Sequence, residues 1–146
     1  MWGHEVLLKV VPQRFPFLMI DKILSHEFKK SATCQKGVSF SEEVFQGHFP
    51  GRPIYPGVLL IEMGLQTTQV MLTNIEKAMS GEVNKEGAQQ GFFISVDRFK
   101  FYKPVVPGDV LTIKSEFETE AMGMTKANIL ITKDNEKIAL GTVTVG

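Results

Sequence analysis

One long apolar segment, residues 57–79, constrains the fold more than any other feature of this sequence. From Gly57 to Ile61 nearly every face of the predicted helix is apolar, and from there to Met79 the pattern is amphipathic. A helix that is apolar all round at one end is buried at that end. We expect Gly81 to cap its C-terminus.

Most of the remaining chain predicts antiparallel strands. The predicted strands are residues 17–28, 32–40, 91–103, 110–119, 124–133 and 137–145, with a turn at 29–31, a short helix at 4–11 and a polar loop at 82–90. In the strand from residue 110, Leu111, Ile113 and Phe117 alternate with polar side chains. This alternation indicates one buried face and one solvated face.

An open antiparallel sheet has to bury one of its faces, and the single apolar helix is the obvious partner. We therefore predict an α+β fold in which a curled antiparallel sheet wraps around one long central helix. Residues 1–146 are expected to form a single domain, since this length suits one core. The edges of such a sheet invite pairing with a second copy.

The composition argues against several classes of partner. Sixteen basic and sixteen acidic residues cancel, so no strong field favours nucleic acid or a membrane surface. The longest apolar run is too short to span a bilayer. The single cysteine, Cys34, excludes an internal disulfide and favours a reducing cytoplasm. Cys34 lies in a strand-like run, where we expect it to pack as a small apolar side chain. The N-terminal residues predict no signal peptide.

His48 is the first candidate for chemistry. It lies in the predicted loop 41–56, which is rich in proline and glycine. A neutral imidazole titrates near physiological pH and is the natural general base. The alternative is a histidine that is hydrogen-bonded only to shape the loop. The three histidines, at positions 4, 26 and 48, lack the spacing of a metal site, so no metal is predicted.

Glu62 is the second candidate, because it is the lone carboxylate in the apolar part of the helix. Burial raises the pKa of a carboxyl group, so this side chain could donate a proton. The alternative is that it points along the helix surface to water. Gln66 lies one turn later on the same face, where its amide either orients the carboxyl group or is an ordinary polar residue of the helix.

Gly57 and Val58 begin the helix, where backbone N–H groups are unpaired and the helix dipole is positive. Such a terminus can bind a carbonyl oxygen that gains negative charge. The alternative is a helix start that needs a permissive residue after Pro56. A base, an acid and an oxyanion site facing one apolar slot suit proton abstraction beside a thioester or ketone carbonyl, with loss or gain of water. No nucleophile elbow or dinucleotide pattern is present, and no cofactor is predicted.

The central motif, QGHFPGRPIYPGV followed by LLIEMGLQ, resembles the signature of the 3-hydroxyacyl-acyl-carrier-protein dehydratases of the hot-dog fold. Residues 7–23, 36–50 and 96–111 resemble the same family. The resemblance implies dimers that often assemble into hexamers as trimers of dimers. It also implies the dehydration of a 3-hydroxyacyl thioester to the trans-2-enoyl thioester, in fatty-acid or related lipid or polyketide biosynthesis.

The resemblance also implies residue roles. The catalytic pair maps onto His48 and Glu62, which in that family come from different subunits. Gly57 would bind the thioester carbonyl. Gln66 falls where the family often has a supporting glutamine, and Phe92 lies near a position where an aromatic side chain gates the acyl tunnel. We also expect Val58, beside Gly57 at the helix start, and Tyr55 to contact the substrate. One departure is Gln13, which stands where many members carry a histidine.

The implied partner is an acyl carrier protein with its phosphopantetheine-linked acyl chain. Arg98 and Lys100 alternate with phenylalanines and could form a docking patch for this acidic protein, extended by Lys103 and Arg52. The alternative is a solvated strand face.

Two other functions stay open from the sequence. One is a thioesterase on the same fold, in which Glu62 would activate water. The other is a non-catalytic acyl-binding subunit that kept the fold.

Overall fold

Helix α2, Gly57–Leu72, lies against the inner face of a six-stranded antiparallel sheet. The computed structural model describes residues 1–81 and 92–146, so the polar loop predicted at 82–90 lies outside the described residues. Eight side chains or glycines of α2 are buried: Leu60, Met63, Gly64, Gln66, Thr67, Thr68, Val70 and Met71.

The elements follow one another along the chain as short helices, strands and the central helix. They are α1 His4–Val10, β1 Lys22–Glu27, β2 Ser31–Gly37, a 3₁₀ turn Glu43–Gln46, α2 Gly57–Leu72, α3 Ile75–Met79, β3 Phe93–Phe101, β4 Val110–Ala121, β5 Met124–Lys133 and β6 Glu136–Val145. The strand order is β1-β2-β4-β5-β6-β3, and every pairing is antiparallel. Strands β1 and β3 therefore form the two edges of the sheet.

The core lies between α2 and the central strands. Leu111 and Ile113 of β4 are fully buried, as the alternating pattern predicts, and so are Ile129 and Ile131 of β5. Phe117, the third apolar residue of the β4 pattern, is instead 37% exposed, at the point where the register between β4 and β5 shifts. Gly64 is the point of closest approach, because a Cβ atom built there would lie 2.8 Å from a methyl carbon of Ile129. The backbone of α2 therefore rests almost directly on β5.

The helix predicted over residues 57–79 is interrupted. Helix α2 ends at Leu72, and Thr73 and Asn74 are extended before α3 begins. The side chain of Asn74 accepts a hydrogen bond from the backbone N–H of Lys77 at 3.1 Å, so it is the N-cap of a new helix. Gly81 follows α3 with φ at +76°, as expected of a residue just past a helix end.

The strand predicted over residues 17–28 begins only at Lys22. The preceding residues form a turn, in which the N–H of Phe17 donates to the carbonyl of Arg14 at 2.7 Å. Their backbone groups bind the side chain of Gln66 on α2, as described below, instead of a neighbouring strand. The second strand likewise ends early, at Gly37 rather than residue 40.

The two C-terminal hairpins agree with the predicted strands, which leave residues 120–123 and 134–136 for the turns. Asp134 and Asn135 both have positive φ, at 49° and 64°, in the β5–β6 turn, and Met122 and Gly123 do so in the β4–β5 turn. Two central residues with positive φ match the right-handed twist of antiparallel strands. None of the helices in the described residues is long and apolar enough to cross a membrane.

The contact between Gly64 and Ile129 generates the first prediction. Gly64→Ala should lower the free energy of unfolding by about 1–3 kcal/mol, because the added methyl group overpacks the α2–β5 interface. Urea denaturation followed by circular dichroism measures this change. Gly47→Ala is the matched control, since no atom lies within 4 Å of a Cβ there, and an equal loss in both variants would contradict the prediction.

Candidate active site

The loop that carries His48 is cross-linked by its own backbone. The N–H of His48 donates to the carbonyl of Val44 at 3.1 Å, and its carbonyl accepts from Ile54 at 3.0 Å. Phe49 and Arg52 exchange two hydrogen bonds of 2.9 Å each across a tight turn, and the peptide bond between His48 and Phe49 is cis. These bonds hold the backbone of His48 in one place.

The imidazole of His48 is held in one tautomer. Its Nδ1 lies 2.6 Å from the carbonyl oxygen of Ile54. Because a carbonyl oxygen can only accept, Nδ1 carries the hydrogen, and in the neutral ring Nε2 has the free lone pair. The ring of Phe49 stacks on the imidazole with 4.0 Å between centroids. In the neutral ring, the nitrogen that is free to accept a proton is therefore Nε2.

His48 and Gly57 line the same pocket, which has a volume of about 380 Å³. The structure therefore brings the predicted loop and the predicted helix start together. The lining residues of the pocket are His48, Ile54, Tyr55, Gly57, Leu60, Phe101, Tyr102, Lys103, Pro104 and Val105. No described residue accepts a hydrogen bond from the N–H of Gly57. Val58, by contrast, is 71% exposed and does not line this pocket.

Phe101 is a site residue that the sequence did not reveal. Its ring lies over the start of α2, and a Cβ atom at position 57 would be 3.0 Å from the Phe101 Cζ atom. Only glycine leaves this backbone uncovered without moving the ring. Phe101 belongs to β3, so the pairing of a distant strand, and no local motif, brings it to the helix start.

Glu62 is half-buried and accepts two side-chain hydrogen bonds on the same oxygen. Gln66 Nε2 donates to Glu62 Oε1 at 3.1 Å, and Gln13 Nε2 donates to the same atom at 3.5 Å. Burial raises the pKa of the Glu62 carboxyl above its ordinary value, and the two amide hydrogen bonds oppose that rise. The side chain does not simply point to water.

Gln66 is completely buried, and all three of its contacts define the orientation of its amide. Oε1 accepts from the backbone N–H of Met19 at 2.9 Å, and Nε2 donates to the carbonyl of Phe17 at 2.8 Å. If the amide were flipped, its oxygen would face the carbonyl oxygen of Phe17 and its NH₂ group would face the N–H of Met19. The hydrogen-bond partners therefore decide which atom is the oxygen and which is the nitrogen. Glu62 Oε1 therefore faces a fixed donor.

Glu62 lines a second, smaller pocket of about 60 Å³. The other lining residues are Gln13, Leu65, Gln69, Phe93 and Val145. Within the chain, His48 and Glu62 thus lie in different pockets and do not face a single slot as expected. The helical pitch explains this, since Leu60 on the His48 side and Glu62 are two residues apart, or about 200° around the helix.

Both pockets lie along the edge strand β3, at its opposite ends. Phe93, the first residue of β3, lines the Glu62 pocket, and Phe101, the last, lines the His48 pocket. Phe92, the predicted tunnel gate, is 72% exposed and pairs through its backbone with Gly146. The aromatic side chain that reaches the Glu62 pocket is that of Phe93, one position later.

Comparison with known proteins agrees with the fold and the motif. A model of the FabA-like domain family matches residues 11–142. The chain belongs to the FabA-like family. It is 37% identical over 139 residues to a 3-hydroxyacyl-[acyl-carrier-protein] dehydratase FabZ of Yersinia enterocolitica, covering 95% of this chain and 79% of that protein. A FabZ of Yersinia pestis is also 37% identical, covering 95% and 76% of the two chains.

Solved structures show the same fold at low sequence identity. The dehydratase heterocomplex ApeI:P from Xenorhabdus doucetiae superimposes with a TM-score of 0.75 at 17% identity, over 95% of this chain and 88% of that one. The E. coli PaaI protein of the phenylacetic acid degradation operon gives 0.61 at 16% identity, over 84% and 79%. The predicted α+β hot-dog fold and the resemblance to the dehydratase family are thus confirmed.

Tyr55 is buried in this member of the FabA-like family. Its hydroxyl donates to Glu42 Oε1 at 3.5 Å, and Glu42 pairs with the buried Lys36 at 3.0 Å. Burial, followed by the nearby Glu42 charge, raises the pKa of Tyr55. The residue lines the His48 pocket and also a larger cavity of about 560 Å³, which contains neither His48 nor Glu62.

Cys34 offers no nucleophile. The side chain is completely buried, and burial raises the pKa of its thiol to about 12 against a small opposing effect of a Thr67 hydrogen bond. A thiol with this pKa carries no thiolate at neutral pH. Among residues 1–81 and 92–146, no three His, Cys, Asp or Glu side chains cluster as metal ligands.

The predicted basic patch is exposed. Arg52, Arg98 and Lys100 all lie on the surface, and Arg98 occupies a bulge in β3 with φ at 51°. Lys103 lines the His48 pocket and pairs with Glu136 at 2.6 Å. Lys103 is thus the one basic residue of the predicted patch that lines the His48 pocket, and its charge is paired with a carboxylate.

The raised pKa of Glu62 predicts how stability depends on pH. The folded chain holds this proton more tightly than the unfolded chain, so the extra stability is complete below the unfolded value of 4.5 and is lost as pH rises through the folded pKa. Relative to Glu62→Gln, the free energy of unfolding of the wild-type protein should fall as pH rises from 4 to neutral. Urea titrations of both proteins test this, and a difference that stays flat or grows with pH would contradict it.

Proposed function

We propose that this chain is a 3-hydroxyacyl-[acyl-carrier-protein] dehydratase of the cytoplasm that converts a carrier-bound 3-hydroxyacyl thioester to the trans-2-enoyl thioester. The observation that carries the proposal is that the chain holds one group oriented to accept a proton and one carboxyl group whose burial favours its protonated form. His48 has a free lone pair on Nε2, and burial favours the protonated form of Glu62. The FabZ relatives, which are named as dehydratases, support the same reaction.

His48 is the base in this proposal. Its Nε2 removes the proton from the α-carbon, which is acidified by the neighbouring thioester carbonyl. Negative charge develops on the carbonyl oxygen as the α-C–H bond breaks. The N–H of Gly57, in the same pocket and not bound to any described residue, donates a hydrogen bond to that oxygen.

Glu62 is the acid. Both amide donors bind Oε1, and no described residue donates to Oε2, which is the arrangement expected of a carboxylic acid with its proton on Oε2. The Oε2–H protonates the β-hydroxyl group as the C–O bond breaks, and water leaves while the α,β double bond forms. The proton taken by His48 returns to solvent, and Glu62 regains one from solvent.

A complete site in this proposal needs two copies of the chain. Strand β3 is an edge of the sheet with three exposed apolar residues at its beginning, Phe92, Phe93 and Ile94. If two copies pair their β3 strands antiparallel about a two-fold axis, the start of one β3 lies beside the end of the other. The Glu62 pocket then meets the partner subunit's His48. In this proposal the homodimer is the catalytic unit. Three dimers form the hexamer that the resemblance to the dehydratase family implies.

The first experiment measures turnover with a 3-hydroxyacyl thioester on acyl carrier protein. His48→Ala and Glu62→Gln should each reduce the rate of enoyl formation by about 10²–10⁴-fold, with circular dichroism showing unchanged folding. An acyl thioester without the β-hydroxyl group is the control substrate. Its rapid hydrolysis by the wild-type protein, or near-normal dehydration by either variant, would contradict the proposal.

The shared site has its own test, the mixing of the two inactive variants. A dimer of one His48→Ala chain and one Glu62→Gln chain contains one intact site, so random mixing should restore about a quarter of wild-type activity. The matched control mixes equal amounts of wild-type chains and chains that carry both substitutions; its activity should fall from half to about a quarter of the wild-type value, because the mixed dimers have no intact site. Activity that stays at half in the control, with none in the first mixture, would place both groups in one subunit and contradict the shared site.

The position of Lys103 at the His48 pocket suggests where the acidic carrier protein docks. Lys103→Glu should raise KM for the carrier-linked substrate about three- to tenfold, because it reverses a charge that faces an acidic partner. KM for the same acyl group on free pantetheine should not change. Lys114→Glu is the control, since Lys114 is also exposed and paired with a glutamate but lies on β4, and an equal effect there would contradict a local docking site.

A further inference from the structure

Gln13 reaches Glu62 from a segment that has no part in the sheet. It follows α1, and the Arg14 guanidinium anchors this segment by donating to the carbonyls of Leu8 at 2.6 Å, Val11 at 2.8 Å and Gln13 itself at 2.8 Å. The backbone of Gln13 is thus tied to the C-terminal end of α1. From there its Nε2 donates to Glu62 Oε1 at 3.5 Å.

The contact with Glu62 is the only hydrogen bond of the Gln13 side chain within the described residues. Its other amide atom, Oε1, is buried and has no partner. A buried, unpaired amide oxygen costs free energy, so the polar side chain is not there to satisfy the local backbone. Its N–H is directed to an oxygen that already accepts a hydrogen bond from Gln66.

We propose that Gln13 is a positioning residue for Glu62. Together with Gln66 it holds Oε1 as the accepting oxygen, so that Oε2 carries the proton that is delivered to the substrate hydroxyl. The inference deepens the proposed function and rests on it. Gln66 fixes the carboxyl group from within α2, and Gln13 fixes it from the segment that follows α1.

Among the described residues, no other titratable side chain lines the Glu62 pocket and could change the pKa of Glu62. The described residues that line the Glu62 pocket are otherwise Gln13, Leu65, Gln69, Phe93 and Val145, and none of them ionises. Gln66, the remaining contact, is also neutral. The neighbouring Arg14 guanidinium is occupied by three carbonyl groups. In the proposed dimer, the partner subunit's His48 is the group that shares the site.

The experiment replaces Gln13 with methionine, which has nearly the same length and shape but no N–H group. Gln13→Met should lower kcat about fivefold while KM for the carrier-linked substrate stays within twofold. Loss of the donor should also raise the pKa of Glu62, moving the basic limb of the pH profile of kcat/KM to higher pH. Gln13→Leu is a second variant in case the first folds poorly.

Gln69→Met is the matched control. Gln69 lines the same pocket and also has a buried, unpaired Oε1, but it makes no hydrogen bond to Glu62. It should leave the pKa of Glu62 and the basic limb of the pH profile unchanged, because it removes no hydrogen bond from the carboxyl group. Equal losses in both methionine variants, with no movement of the basic limb in either, would assign the effect to packing and overturn the positioning role.

A direct titration separates this inference from the dehydratase activity. The carboxyl carbon of Glu62, observed by NMR in protein labelled with ¹³C-glutamate and assigned with Glu62→Gln, reports its pKa without any turnover. A higher pKa in Gln13→Met than in wild type supports the positioning role, and an unchanged pKa overturns it. Absence of dehydration by the wild-type protein would instead overturn the proposed function.

Discussion

The burial of α2 inside the curled sheet is the constraint on which the rest of the structure depends. The helix lies so close to β5 that a Cβ atom at position 64 would overlap Ile129, and eight of the sixteen residues of α2 are buried. Gly57 and Leu60 of the same helix line the His48 pocket, whereas Glu62, Leu65 and Gln69 line the Glu62 pocket. One helix therefore serves two separate pockets, and neither of them contains a complete set of proton-transfer groups.

Side-chain amides hold the half-buried carboxyl group of Glu62 in one orientation by donating hydrogen bonds to its Oε1 atom. A buried charge without partners is costly, and a buried acid with poorly defined partners could carry its proton on either oxygen. Gln66 removes this ambiguity because its own amide is fixed by the backbone of Phe17 and Met19. The same contacts explain why the chain before β1 does not extend the sheet. The loop and the acid are thus organised by one buried side chain.

The candidate residues of the site could be selected from the sequence, but their arrangement could not. His48, Glu62 and Gln66 could be selected because each is a polar residue in a rigid or apolar setting, and the helical period predicted the contact between the last two. The separation of the two pockets requires the position of α2 within the sheet, which local patterns do not specify. Phe101, Phe93 and Gln13 reach the pockets through contacts between residues that are distant in the sequence.

The break between α2 and α3 shows the same limit on a smaller scale. Apolar residues continue through the break with a helical period, and only the capping contact of Asn74 reveals that a new helix starts. The hairpin turns could be predicted because their conformation depends on two adjacent residues. Prediction from the sequence succeeded where the cause is local and failed where it is a contact across the fold.

The exposed apolar start of β3 has a further consequence for how this protein can vary. An uncovered edge strand with adjacent phenylalanines is a liability for aggregation, and in the proposed dimer the surface that removes this liability also completes the site. Solubility and turnover would then be properties of the same few side chains. A substitution in Phe93 that improved the behaviour of the isolated chain would do so by separating the subunits that catalysis requires.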